Sequence, residues 1–367
     1  MHVVMLSKAL VAGAYQKKLE ELARLPDLRL TALVPPYWHE PGVGRMPLEP
    51  RFTAGYQLEV LPMVLNGQHH LHFYPTLGRV LARLQPDVLH IDEESFNFAT
   101  AHAMRIGVSM GARCCFFNWA NIERSYPPPF VWFEQYNFRH AGYAIAGNHE
   151  AAGILRRRGY TGPLAVLPQF GVDPDLYGPR PPHTGGELVV GYVGRLVAAK
   201  GVADLLAAVA RLPDPVRLLL VGDGPLRPQL EQQAQQLGIA ARVEFAGAVP
   251  STAVPAVLHK LDVLVLPSHT TPNWKEQFGR ILVEAMSCGV VVVGSDSGEI
   301  PNVIGAAGLV YPEGNITALG NALRLLAQDG RLRAALAQRG RERVLGHYTQ
   351  AALARQYSQI YRELYTP

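Results

Sequence analysis

The chain has 367 residues, 48% hydrophobic and 17% charged, and a formal net charge of +4 at pH 7. That composition is ordinary for a soluble protein with sizeable cores, the length suits two domains, and so small a charge demands no polyanionic partner such as nucleic acid. No apolar run approaches the ~20 residues of a membrane span, and the start Met1-His2-Val3-Val4-Met5-Leu6 lacks the charged opening of a secretory signal. A cytoplasmic protein is expected, with weak peripheral contact to an anionic inner membrane face left open. Cys114 and Cys115 are adjacent and Cys288 stands alone, so neither a disulfide framework nor a structural zinc site is expected.

Short apolar runs alternate with helical patterns throughout, the signature of an α/β fold with parallel sheets and crossover helices. In the first half, strands are expected at 2–6, 28–34, 87–91, 112–117, 143–146 and 164–167, and helices at 13–25, 76–85, 95–110 and 148–158. Residues 35–75, rich in Pro, Gly, His and aromatics, follow neither period; so long an irregular stretch points to function or to hidden structure. Linker composition interrupts the pattern at 171–187. A second series follows, with strands at 188–193, 216–221, 242–245, 262–266 and 290–294. Helices are expected at 202–211, 228–237, 252–260, 279–288, 317–328, 330–345 and 350–364. The expected domains are 1–180 and 181–348, with a final helix in 349–367 that can cross back to the first. Two Rossmann-like domains of this kind would face each other across a deep cleft, lined by the C-terminal ends of their strands.

The stretch that carries chemistry reads Lys275-Glu276-Gln277-Phe278-Gly279-Arg280-Ile281-Leu282-Val283-Glu284-Ala285-Met286. A glycine-containing turn opens a helix whose N-terminus is a ready diphosphate site, and Gly279 lets a phosphate approach without a Cβ in the way. Glu284 falls inside an apolar helix, where a carboxylate needs a partner or a ligand. A buried helix with one exposed and one salt-bridged Glu is the plainer alternative. Upstream, Gly194-Arg195 ends a strand and Lys200-Gly201 opens a helix, a position where cations are ordinarily unfavourable. Gly222-x-Gly224 fails as a dinucleotide fingerprint, because Pro225 and Pro228 interrupt the glycine spacing.

Glu276 and Glu284 around Phe278-Gly279 resemble the Glu-x7-Glu signature of family 4 glycosyltransferases of the GT-B fold. Gly194-Arg195 with Lys200-Gly201, the turn 220–225, the loop 245–249 and Leu266-Pro267-Ser268 extend the resemblance over 188–345. It implies a retaining, metal-independent hexosyltransferase that needs no cofactor and takes a nucleoside diphosphate sugar as co-substrate. On this resemblance Glu276 contacts the donor sugar and Glu284 the ribose. Arg195 and Lys200 neutralise the diphosphate, amides at Gly279, Arg280 and Ile281 hold it, and Gly194, Phe278 and Val249 complete the donor site. Of the family's Gly-Gly pair after the first strand only Gly13 carries over.

The acceptor side is less patterned. No His stands where the family often has one; Asn118, Trp119 or Asn121 can occupy that space. The strand end His90-Ile91-Asp92-Glu93-Glu94 sets three carboxylates at a cleft, to bind acceptor hydroxyls or deprotonate one, with Asp92 and Glu94 the candidates and Glu94 the catalytic one. An acid-rich helix start explains them equally well. Gln68-His69-His70-Leu71-His72 suggests a metal site, an acceptor pocket or a surface loop, and Arg156-Arg157-Arg158 an anionic lipid contact or a solvated helix end. The expected function is transfer of a sugar to a hydroxyl of a glycan, lipid or small molecule. A phosphorylase, a nucleotide-sugar epimerase and a non-catalytic sugar-nucleotide binder remain as alternatives.

Overall fold

The computed structural model describes residues 1–180, 187–213 and 216–366. The chain divides into two compact units, Met1–Gly171 with Gln350–Pro367, and Val172–Thr349; the sequence reading set the divisions at 180/181 and 348/349. Residues 181–186 of the expected linker lie outside the described residues.

Unit 1 is built on a seven-stranded parallel sheet. Its strands are β1 (His2–Leu6), β2 (Arg29–Val34), β5 (Gln57–Val60), β6 (Val88–Ile91), β7 (Arg113–Asn118), β8 (Tyr143–Ala146) and β9 (Leu164–Val166), in the order β5-β2-β1-β6-β7-β8-β9. Helices α1 (Lys17–Ala23), α2 (Leu77–Leu84), α3 (Phe98–Ser109), α4 (Phe130–His140) and α5 (His149–Arg157) connect them. The aperiodic stretch 35–75 has structure of its own: an antiparallel hairpin of β3 (Tyr37–Glu40) and β4 (Gly44–Pro47), then the edge strand β5. Strand β1 is buried at every position, as a strand covered on both faces must be.

Unit 2 repeats the plan with six parallel strands, β10 (Leu188–Val193), β11 (Val216–Val221), β12 (Val243–Gly247), β13 (Val263–Leu266), β14 (Val291–Ser295) and β15 (Gly308–Tyr311), ordered β12-β11-β10-β13-β14-β15. Its helices are α6 (Val202–Val209), α7 (Arg227–Gln236), α8 (Val254–Leu258), α9 (Arg280–Ser287), α10 (Ile300–Ile304), α11 (Ile316–Gln328) and α12 (Gly330–His347). The strand β15 and the short α10 had no counterpart in the sequence reading. Each unit is thus a Rossmann-like α/β layer structure with its own core.

The last helix, α13 (Gln350–Tyr365), packs in unit 1 against α1, β6 and β7. It seals a buried polar cluster. Lys18 gives its ammonium to the Gln169 carbonyl at 2.7 Å and lies 4.0 Å from the Tyr357 ring centroid, and burial lowers it to about 8. His90 bonds the Tyr361 hydroxyl through Nδ1 at 2.7 Å, and burial pushes its pKa down to about 3. Folding therefore holds His90 neutral, and this contribution is lost as pH falls below the ordinary 6.5 and protons bind the unfolded chain. At pH 5 the penalty is about 2 kcal/mol. Between pH 7 and pH 5 chemical denaturation should show a loss of stability that is smaller by about that amount in His90→Gln; equal losses would exclude His90 as the cause.

Candidate active site

In both sheets the strand order reverses once, between β1 and β6 in unit 1 and between β10 and β13 in unit 2. Loops leaving the carboxyl ends of the two central strands diverge there and leave a crevice, the usual ligand position in open α/β sheets. Lys200 and Glu276 in unit 2, and Asp92 and Glu94 in unit 1, lie at these two points.

In unit 2 the loops after β10 and β13 are locked together. Gly201 has φ +63° and a Cβ there would stand 1.9 Å from the Pro267 carbonyl oxygen, so only glycine permits the contact. His269 donates its amide to the Ala199 carbonyl at 2.8 Å, and its ring bonds Asp204 of α6 at 2.7 Å. This brings Lys200 to Glu276: the ammonium lies 2.6 Å from Oε2, which also accepts from Ser268 Oγ at 3.1 Å. The Trp274 ring stands 4.5 Å from the same ammonium and steadies it by cation–π attraction. Glu276 is only 9% exposed, so the pair is shielded from the water that weakens surface ion pairs. Its carbonyl accepts from the Glu299 amide at 3.0 Å, which fixes the main chain behind it.

Four residues later α9 begins. Its N-cap is Gly279, at φ +75°, which brings no side chain to cap the first turn. The helix therefore turns the positive end of its dipole to whatever lies before it. Glu284 sits in the middle of α9 with its side chain 7% exposed, held by Arg280 Nε at 2.9 Å and by the Tyr177 hydroxyl. Burial raises its pKa, and Arg280 and Tyr177 oppose that rise. On the other central strand, Tyr192 donates its hydroxyl to the Arg195 carbonyl at 2.8 Å, while the Arg195 side chain is exposed. Val249 lies half-buried beyond β12, and Phe278 packs edge-on against Tyr348, 5.8 Å between centroids.

In unit 1 the residues after β1 and β6 line a cavity of about 380 Å3. Three successive carboxylates close its base, each in a different setting. Asp92 accepts from Ser7 Oγ at 2.6 Å and Gln169 Nε2 at 2.7 Å, and burial raises it against the pull of Lys18. Burial would raise Glu93 too, but its ion pair with Lys8 and the nearby His72 hold it at about 2. Glu94 accepts from the amides of Trp119, at 3.0 Å, and Ala120, yet burial dominates and lifts it to about 7. The hairpin forms one wall: Trp38 and Met46 are cross-strand partners, and both line the cavity. Trp38 Nε1 bonds Glu40 at 2.6 Å, and the Lys8 ammonium lies 5.3 Å from the Trp38 ring centroid.

The cavity gathers Asp92, Glu94 and Trp119, whereas Asn118 and Asn121 lie off its lining. Asn118 is buried and accepts the Ser95 amide at 2.9 Å, a tie between strand ends. Gly13 is buried against another segment: a Cβ there would meet Glu49 and Arg51 within 2.8 Å. Lys8, Trp38, Glu40, Gln169 and, in unit 2, Trp274 escaped the sequence reading. The signal available for Trp38 and Glu40 was the aperiodicity of 35–75 itself. Of the histidines, His70 bonds Asn97 at 3.0 Å and His72 lies 3.4 Å from Glu93; no group of three or more potential ligands suited to a metal stands together among the described residues. The arginine run is occupied within unit 1. Arg158 pairs bidentately with Glu134, Arg157 pairs with Glu123 and Glu150, and Arg156 donates to the carbonyls of Tyr160 and Gly162. No described helix is long and apolar enough to cross a membrane.

Comparison with known proteins agrees with this architecture. A 2-deoxystreptamine N-acetyl-D-glucosaminyltransferase of Streptomyces fradiae is 37% identical over 145 residues, 37% of this chain and 33% of that protein. The lipopolysaccharide core biosynthesis glycosyltransferase LpsE of Rhizobium meliloti is 35% identical over 175 residues, 47% of this chain and 49% of that protein. The matches thus span a third to about half the length of these curated relatives. Among solved structures, Anabaena HepE in complex with UDP aligns over 99% of this chain and 100% of its own, with a TM-score of 0.73 at 20% identity; the same protein has also been solved with UDP-glucose. That likeness extends over both units and gives the chain the GT-B fold of two Rossmann-like domains. Residues 179–343, nearly all of unit 2, match the family described as glycosyl transferases group 1.

Proposed function

We propose that the chain is a retaining glycosyltransferase of the hexosyltransferase type, moving a sugar from a nucleoside diphosphate sugar to an acceptor hydroxyl. The observation that carries this reading is Glu276, held by Lys200 and Ser268 at the switch point of unit 2, one short turn before the N-terminus of α9. Glu276 and Glu284 then act as the Glu-x7-Glu pair of family 4. Glu276 accepts hydrogen bonds from hydroxyls of the donor sugar, and Glu284 from those of the ribose. Arg195, Lys200 and the first turn of α9 supply the positive charge that a departing diphosphate requires, the work a metal does elsewhere. The C1–oxygen bond to the diphosphate breaks, the acceptor oxygen bonds C1 on the same face, and the acceptor proton leaves with the diphosphate. The cavity of unit 1 takes the acceptor. The ligands named for the Anabaena neighbour make UDP and UDP-glucose the first molecules to test.

Incubation with UDP-glucose and a panel of hydroxyl acceptors should give a glycoside whose anomeric coupling, read by NMR, matches that of the donor; an inverted anomer would sink the retaining mechanism. Glu276→Ala should lower kcat by at least ~100-fold without weakening UDP binding, because the lost contacts belong to the sugar and Lys200 is freed for the diphosphate. Glu284→Gln should weaken UDP binding by about tenfold, the worth of one charge-assisted hydrogen bond. Calorimetry returning wild-type affinity for that variant would remove Glu284 from the ribose site.

A further inference from the structure

The charged lining of the unit 1 cavity is one-sided. Lys8 is the one Lys or Arg among its lining residues, against Glu40, Asp92, Glu93 and Glu94. That single cation is already engaged, since Lys8 pairs with Glu93. Asp92 is answered from behind by Lys18, which is fully buried and faces Tyr357. Glu40 receives the indole N–H of Trp38. Glu94 differs from all of these. It takes two main-chain amides, no cation pairs with it among the described residues, and its Oε2 is buried without a hydrogen-bond partner there. Asp92 Oδ1, 5% exposed as a residue, is likewise unpartnered.

A carboxylate desolvated without an ion-pair partner is costly, and Lys8, paired with Glu93, acts on Glu94 only through its longer-range field. The elevation of Glu94 to about 7 is the same deficit expressed as proton affinity. A ligand ammonium would supply the missing charge and displace that proton. The walls suit the rest of such a ligand. Trp38 and Trp119 line the cavity and supply aromatic surface of the kind that a sugar-like ring and a nearby cation favour, while Asp92 Oδ1 is left without a partner for a hydroxyl. An anionic ligand would enter a space where four carboxylates face one occupied lysine.

We infer that this cavity binds a compact polyhydroxylated molecule bearing an amine, with the ammonium on Glu94 and the ring against Trp38 and Trp119. The inference rests on reading the cavity as the acceptor site. Isothermal titration of the full chain with glucosamine, glucose and glucose 6-phosphate isolates the substituent. Glucosamine should bind at least ~10-fold more tightly than glucose, with glucose 6-phosphate the weakest. Glu94→Gln should bring glucosamine to within ~3-fold of glucose while leaving UDP affinity, a check on folding of the other unit, unchanged. Equal binding of the amine and the neutral sugar, tightest binding of the phosphate, or no saturable binding of glucosamine overturns the inference. So does an amine preference that survives in Glu94→Gln. Transfer from UDP-glucose without any amine preference would defeat this inference alone; amine preference without UDP binding would defeat the transferase reading alone.

Discussion

In an all-parallel sheet every strand delivers its following loop to the same edge, and only where the strand order reverses do two neighbouring loops turn away from each other. Everything of chemical interest in this protein depends on that constraint. In unit 2 it sets the loop after β10 beside the loop after β13, so residues 76 positions apart, Lys200 and Glu276, become an ion pair. In unit 1 it sets Lys8, after β1, against Glu93, after β6. The two units thus repeat one electrical arrangement, a lysine from the first strand's loop and a glutamate from the reversal's other side. Both pairs are backed by an indole, Trp274 in one and Trp38 in the other.

The protein holds its buried carboxylates at different degrees of compensation. Glu93 and Glu276 have lysines, Glu284 has Arg280 and a tyrosine, Asp92 has a distant lysine and two neutral donors, and Glu94 has two amides and the longer-range field of a lysine paired elsewhere. Compensation decides which of them is available. A fully paired carboxylate in a dry wall is structural until a ligand competes for its partner, whereas one left short of charge already favours an incoming cation or proton. Glu276 belongs to the competing kind: the lysine that secures it is also a cation that a diphosphate would attract.

The parts legible in sequence were those where side-chain pattern and backbone agree. Strands such as 188–193 and 143–146 are short apolar runs, and the structure repeats their bounds. The start of α9 was legible because Gly279 and the apolar run after it leave few other readings. Helix α4 was hidden for a physical reason. It buries Glu134 and Asn137, which hold Arg158 and the Ser95 carbonyl, while Trp132 is 62% exposed. A helix that turns polar residues inward has no apolar stripe to find. The hairpin of β3 and β4 escaped similarly, since each strand has four residues and Trp38 alone of β3 is buried. The residues proposed for the donor were therefore nameable from a local motif. The cavity of unit 1 draws on the loop after β1, the hairpin, two strand ends and Gln169, and no single stretch of sequence announces such a set.

Helix α13 belongs to unit 1 although 178 residues of unit 2 separate it from the rest of that unit. On a ribosome, then, unit 2 emerges whole while unit 1 still lacks its last wall. Until residues 350–365 arrive, the His90 ring has no Tyr361 hydroxyl and Lys18 has no Tyr357 beneath it. The order of completion runs opposite to the order of the chain: the second unit can finish first, and the first closes last.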